Sequence, residues 1–255
     1  MKNTLVIAKY TFIEVYRSKI MYGLLVLAIA LFVVTYIASE FAYGAPDKIA
    51  LDFSIGIMSI SNLIISIFLG ATLLSKEIES RTLYMILSRP LSRNNFLIGK
   101  VIGLSSVILI NSFFLTLVGS VMFNFLGGVF SKLLLWVVLF SFFESLIIML
   151  FGVLFSLITN ITMAVMFTIL VLICGHTITE TMSNFFAKTN VVFSKILSIS
   201  LLIIPDLERL NLKDFLIYNQ SLPGTYLGGT LVYVLFYLAA LTLLISFVFK
   251  RKNLD

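Results

Sequence analysis

The chain contains a single cysteine, Cys174, and a single histidine, His176. Without a second thiol there is no intrachain disulfide and no thiolate metal cluster, and the redox compartment leaves no mark. One imidazole cannot build a histidine-rich zinc site. Charge is scarce as well. Only 12% of the 255 residues are Asp, Glu, Lys or Arg, against about 25% in soluble domains, and 60% are hydrophobic. The G-x4-G-K-S/T phosphate loop is absent, so the chain does not bind and hydrolyse ATP by that route. H-E-x-x-H and G-x-S-x-G are absent too. No catalytic residue, bound cofactor or metal ligand set is therefore expected. The formal charge of +6 does not indicate nucleic acid, because no soluble basic module is present to bind it. In so apolar a chain, basic residues mark a cytoplasmic face and lipid headgroup contacts.

What is present is a series of apolar runs, each long enough to cross a bilayer at about 20 residues per crossing. The expected fold is an all-α integral membrane protein with six transmembrane helices. Residues 1–19 mix basic side chains with Leu5, Val6, Phe12, Ile13 and Tyr16, which predicts an amphipathic helix lying along the inner membrane surface. The run 20–38 exceeds the roughly 7–15 residues of a secretory h-region and is expected to be a retained first span. Residues 40–52, with the turn Gly44-Ala45-Pro46-Asp47-Lys48, favour an exposed loop. A second span over 53–75 carries Ser59, Ser61, Asn62 and Ser66, whose polar groups should face other helices or a cavity.

Residues 76–100 are the long polar interruption around which the chain is organised. Glu77 and Arg81 have the acid-first i,i+4 spacing that supports a helix, and Leu83, Ile86 and Leu87 give it an apolar stripe. Pro90 ends that helix, and Ser92 is a suitable N-cap for a restart. The plainer reading is a solvated cytoplasmic loop. A third span covers 98–126 with Asn111 and Ser112 near its middle, broken by Gly127-Gly128 before Lys132. Residues 133–178 are too long for one crossing, so a tight hairpin is expected at Thr159-Asn160. In the segment 180–226, the apolar run 191–204 is short for a crossing and suits a re-entrant or interfacial helix between spans five and six. The last span, 227–249, closes with Lys250, Arg251 and Lys252.

Six spans place 12 of the 18 Lys and Arg residues on one face, together with both termini and the 76–97 segment. The positive-inside rule makes that face cytoplasmic and leaves 180–226 extracytoplasmic. Three residues are candidates for lining a path. Glu144 is the one ionisable group expected deep in a span, with no basic partner at comparable depth, and an intramembrane carboxylate marks a path or a polar helix contact. The alternative is a neutral or Ser141- or Ser145-bonded group that ties helices together. His176, near the outer end of span five, reads equally as an ordinary interfacial imidazole. Asn62, like Asn111, reads as an interhelical hydrogen-bonder or as a path residue.

The run L-L-S-K-E-I-E-S-R-T-L-Y-M-I-L-S-R-P-L-S-R-N-N-F-L-I-G-K from Leu73 to Lys100 resembles the cytoplasmic loop of ABC-2-type permeases, the membrane subunits of one class of ABC transporter. The shared features are the acids Glu77 and Glu79, Thr82-Leu83, Leu87-Ser88-Arg89-Pro90, Ser92-Arg93 and Gly99-Lys100. The layout of an N-terminal elbow helix, six spans and a membrane-associated segment before the last span is similar across the whole chain. Residues 204–214 also look like permeases grouped with multicopper-enzyme maturation. The resemblance implies a half-transporter, typically paired as a homodimer with a separate ABC ATPase that binds the ATP, set in the cytoplasmic membrane and tending to export. It further implies that Glu77, Glu79, Arg81, Thr82, Leu83, Ile86, Leu87 and Arg93 couple to that ATPase. The contrasting readings are an ATP-independent channel or carrier, and a membrane scaffold for another complex.

Overall fold

A computed structural model describes residues 2–17, 20–41, 44, 46–79, 92–129, 131–183, 191–218 and 220–251. These residues form helices and no strand: α1 (Lys2–Tyr16), α2 (Ile20–Glu40), α3 (Pro46–Glu79), α4 (Arg93–Phe125), α5 (Leu133–Ile158), α6 (Ile161–Ser183), α7 (Val191–Ile203), a 3-10 turn (Glu208–Leu210), α8 (Lys213–Ile217) and α9 (Gly224–Arg251). Five of them, α3, α4, α5, α6 and α9, are long and apolar enough to cross a membrane. The chain is thus an all-α, multi-pass membrane protein. α2 is helical over 21 residues, and its described apolar stretch, Val26–Glu40, is shorter than a full crossing.

The helix ends follow from local chemistry. Ser92 caps α4 in an extended conformation, its hydroxyl accepting from the Asn95 N–H at 3.2 Å. The same helix ends at Gly127, whose φ of +85° suits glycine. The Gly128 N–H donates back to the Phe123 carbonyl at 3.0 Å, as in a Schellman ending. The expected hairpin is present: only Thr159 and Asn160 separate α5 from α6.

One expectation fails here. Residues 46–52 are not loop but the first turns of α3. Pro46, a turn-former by composition, occupies the first helical turn, where its fixed φ fits and its missing N–H is no loss. Asp47 in that turn complements the positive helix end. Asp52 is held by Lys213 of α8 at 2.6 Å. At the other end α3 continues unbroken through Lys76 and Glu77 to Glu79, so the polar segment begins as an extension of the second span. The expected apolar stripe Leu83, Ile86, Leu87, together with Arg81, Thr82 and Pro90, lies outside the described residues.

α3 is the central helix, packed on α2, α4 and α5. Its contact with α5 is close because both sides are glycine. A Cβ on Gly70 would lie 2.4 Å from the Met149 carbonyl oxygen, and one on Gly152 would lie 3.1 Å from the backbone of Gly70 and Ala71. Small residues let backbones approach in this way, which is how helices associate where lipid removes the hydrophobic drive. α1 packs on α4 by the same device, over Gly99 and Gly103.

Candidate functional site

The hairpin between α5 and α6 sets the site. Glu144 precedes Thr159 by 15 residues and His176 follows Asn160 by 16, so antiparallel helices bring them to the same depth. At about 1.5 Å per residue that depth is roughly 23 Å from the turn. His176 Nε2 lies 2.9 Å from Glu144 Oε1, and Nδ1 lies 3.2 Å from Glu208 Oε2. This corrects the expectation that Glu144 has no basic partner. Nor does a serine hold it: the Ser145 hydroxyl donates to the Ser141 carbonyl at 2.8 Å, and Ser141 Oγ sits 3.2 Å from Ser59 Oγ on α3.

Glu208 reaches the imidazole because the chain after α7 is pinned against α6 and α9. The Leu207 N–H donates to the Gly175 carbonyl at 3.2 Å, and Leu207 is fully buried. Gly175 is required there, since a Cβ would lie 2.7 Å from the Leu207 side chain and 2.9 Å from the Pro205 oxygen. Asp206 accepts from the Thr179 hydroxyl at 2.9 Å and from the Arg209 N–H at 3.3 Å. Three tyrosines on α9 complete the seat. Tyr237 donates to the Ile203 carbonyl at 2.7 Å, Tyr233 accepts from the Asp206 N–H at 2.9 Å, and Tyr226 donates to the Arg209 carbonyl at 3.2 Å. The Arg209 guanidinium stacks 5.2 Å over the Tyr233 ring.

Chemically, this is an imidazole between two carboxyl groups. With both nitrogens protonated it donates to each oxygen, in the strong charge-assisted manner. With one proton on the ring, the other nitrogen can accept from a protonated carboxyl. The arrangement can therefore pass a proton between Glu144, buried at 7% exposure, and Glu208 at the edge. It does not chelate: the ring lies between the carboxyls rather than beside them, and among the described residues no group of three or more His, Cys, Asp or Glu is placed to hold a metal.

Asn62 belongs to a different assembly. It is fully buried, and its amide donates to Ser112 Oγ at 2.7 Å and accepts from the Asn111 amide at 2.7 Å. Asn111 also donates to Ser61 at 3.0 Å. This network ties α3 to α4, and no hydrogen bond among the described residues joins it to the Glu144 cluster.

At the opposite end from Asp52, a second charged cluster forms. Lys100 on α4, only 8% exposed, reaches Glu77 on α3 at 2.5 Å and Glu14 on α1 at 3.6 Å. Arg93 Nη1 donates to the carbonyls of Phe249 and Lys250 at 3.4 and 3.3 Å. It thereby satisfies the last turn of α9 and opposes that helix's negative end. Of the expected coupling residues, Glu77 and Arg93 are thus engaged within the chain. Glu79 is the last helical residue of α3, and Arg81, Thr82, Leu83, Ile86 and Leu87 lie outside the described residues. Comparison with known proteins finds no family model that matches this chain and no curated protein similar to it.

Proposed function

We propose that the chain is the membrane subunit of an ATP-driven permease of the ABC-2 type, an exporter that pairs with a second copy and with a separate ATPase in the cytoplasmic membrane. The observation that supports this reading is the bracing around residues 80–91. On one side of the segment, Glu77 is locked to Lys100 and through it to Glu14. On the other, Ser92 caps α4 and Arg93 grips the end of α9. Four helices, α1, α3, α4 and α9, are thus tied together by residues that flank 80–91 in sequence. A partner pressing on it moves their ends together rather than bending one loop, which is what a coupling element requires for two alternative packings of the bundle. In this reading α1 is the elbow helix on the inner membrane surface, α2 is the first of six spans, and α7 is the re-entrant or interfacial helix.

Purification from native membranes tests it: an ATPase should co-purify, and the complex should hydrolyse ATP in a vanadate-sensitive way. Because Glu77 is used within the chain, charge reversal belongs at Glu79 and Arg81. Glu79→Lys with Arg81→Glu should leave the permease inserted and the ATPase lost. Full ATPase recovery from that variant would overturn the coupling assignment.

A second reading, an ATP-independent carrier, draws on the Glu144–His176–Glu208 relay, since buried carboxylates and imidazoles carry protons in such proteins. It expects transport that survives vanadate and stops when the proton gradient is collapsed.

A further inference from the structure

At the Asp52 end of α3 three spaces are neighbours, and Leu134 lines all of them. The largest, about 570 Å³, is a groove between α4 and α5 walled by Leu109, Phe113, Leu117, Leu139 and Phe142. Thr116 and Ser120 also line it, but the Thr116 hydroxyl is used on its own helix, donating to the Ser112 carbonyl at 2.7 Å. The wall is in effect hydrocarbon. A small space of about 20 Å³ shares Ser120 and Val138 with the groove, and shares Leu51 and Phe123 with a mouth of about 460 Å³. That mouth is different in kind. Asp47, Lys48, Gly127 and Ser131 line it, so an acid and a base both face the mouth beside the apolar groove.

The dimensions narrow the occupant. From Leu109 to Ser120 α4 rises about 17 Å, close to half of the roughly 30 Å hydrocarbon core. The groove is therefore one leaflet deep. We propose that it binds a phospholipid with a zwitterionic headgroup, one acyl chain lying along α4 and α5, the ammonium at Asp47 and the phosphate at Lys48. Charge complementarity is what selects the lipid.

The site does not depend on coupling to an ATPase, so the test uses the full-length permease alone, extracted in detergent and freed of lipid. Native mass spectrometry is read during titration with phosphatidylethanolamine, phosphatidylglycerol and diacylglycerol. One phosphatidylethanolamine per chain should bind, about tenfold more tightly than diacylglycerol, the size of one to two charge-assisted contacts. Phosphatidylglycerol, which keeps the phosphate but lacks the ammonium, should fall between. Ser120→Trp and Val138→Trp, which fill the junction, should abolish binding. Lys48→Glu, at an exposed position where folding is indifferent to the change, should weaken phosphatidylethanolamine about tenfold and leave diacylglycerol unchanged. Equal retention of phosphatidylethanolamine and diacylglycerol would overturn the proposal. So would unchanged binding by Lys48→Glu, or lipid-free dimers that the two tryptophan variants dissociate.

Discussion

Glu144 is buried and hydrogen-bonded to His176, and what that contact contributes can be measured. Removing one partner of a fully buried ion pair costs about 3–5 kcal/mol, because the other charge is left unpaired. The His176 side chain is 32% exposed, so His176→Ala should cost less, about 2–3 kcal/mol. Glu144→Gln, which keeps a hydrogen-bonding group, should be milder, and Glu144→Leu should show whether transport needs the carboxyl. Unfolding of the purified protein in detergent checks this: His176→Ala as stable as wild type would mean that the pair contributes nothing. Asn62→Ala offers an independent comparison. It strands the Asn111 amide and Ser112, and interhelical bonds of this kind in membranes couple by about 0.6 kcal/mol on average. A double-mutant cycle should find Asn62 coupled to Asn111 and additive with Glu144. The sequence allowed part of this to be read. The spacing of Glu144 and His176 around Thr159-Asn160 is enough to align them. Glu208 was not legible, because its approach depends on Gly175 admitting Leu207 and on three tyrosines from α9, none of which leaves a periodic signal.

Among the helices, the closest approach is that of α3 to α5, and it rests on Gly70 and Gly152. Gly70→Ala would set a Cβ 2.4 Å from the Met149 carbonyl oxygen, a backbone atom that cannot swing aside. Overpacking of this kind costs about 1–3 kcal/mol. Gly23→Ala, whose Cβ meets nothing within 4 Å, is the matched control and should not destabilise. Thermal unfolding of the two variants side by side gives the answer, and equal midpoints would mean that α3 and α5 have room to separate. Element boundaries were legible where one residue type has one use: Ser92 as a cap, Gly127-Gly128 as a break, Thr159-Asn160 as the hairpin. The start of α3 is not legible locally because Pro46 has two uses, turn former and first-turn helix residue. Asp52 in the turns that follow pairs with Lys213, a contact between distant parts of the chain that no local pattern encodes.

For the molecule as a whole, the charged contacts sort the chain into two ends. Asp52 meets Lys213 at the beginning of α3, whereas Glu77 meets Lys100 and Glu14 near its finish. Arg93 brings the close of α9 to that second end. α3 from Asp52 to Glu77 rises about 37 Å, more than the hydrocarbon thickness of about 30 Å, so the two clusters belong to opposite faces of a bilayer. α7, with 13 residues, rises only about 20 Å and is too short to carry Lys213 across. In the proposed six-span reading the Glu77 end carries the excess of Lys and Arg expected from the sequence and is the cytoplasmic one. A reporter active only in the cytoplasm should therefore work when fused after Asn94 or at the C-terminus, and should be silent after Lys48 or Lys213. Activity after Lys213 would require α7 to cross the membrane. It would also separate Lys213 from Asp52 by the whole hydrocarbon core, and an ion pair of 2.6 Å does not survive that separation. A single active fusion at Lys213 would thus overturn both the six-span layout and the packing of α8 against α3.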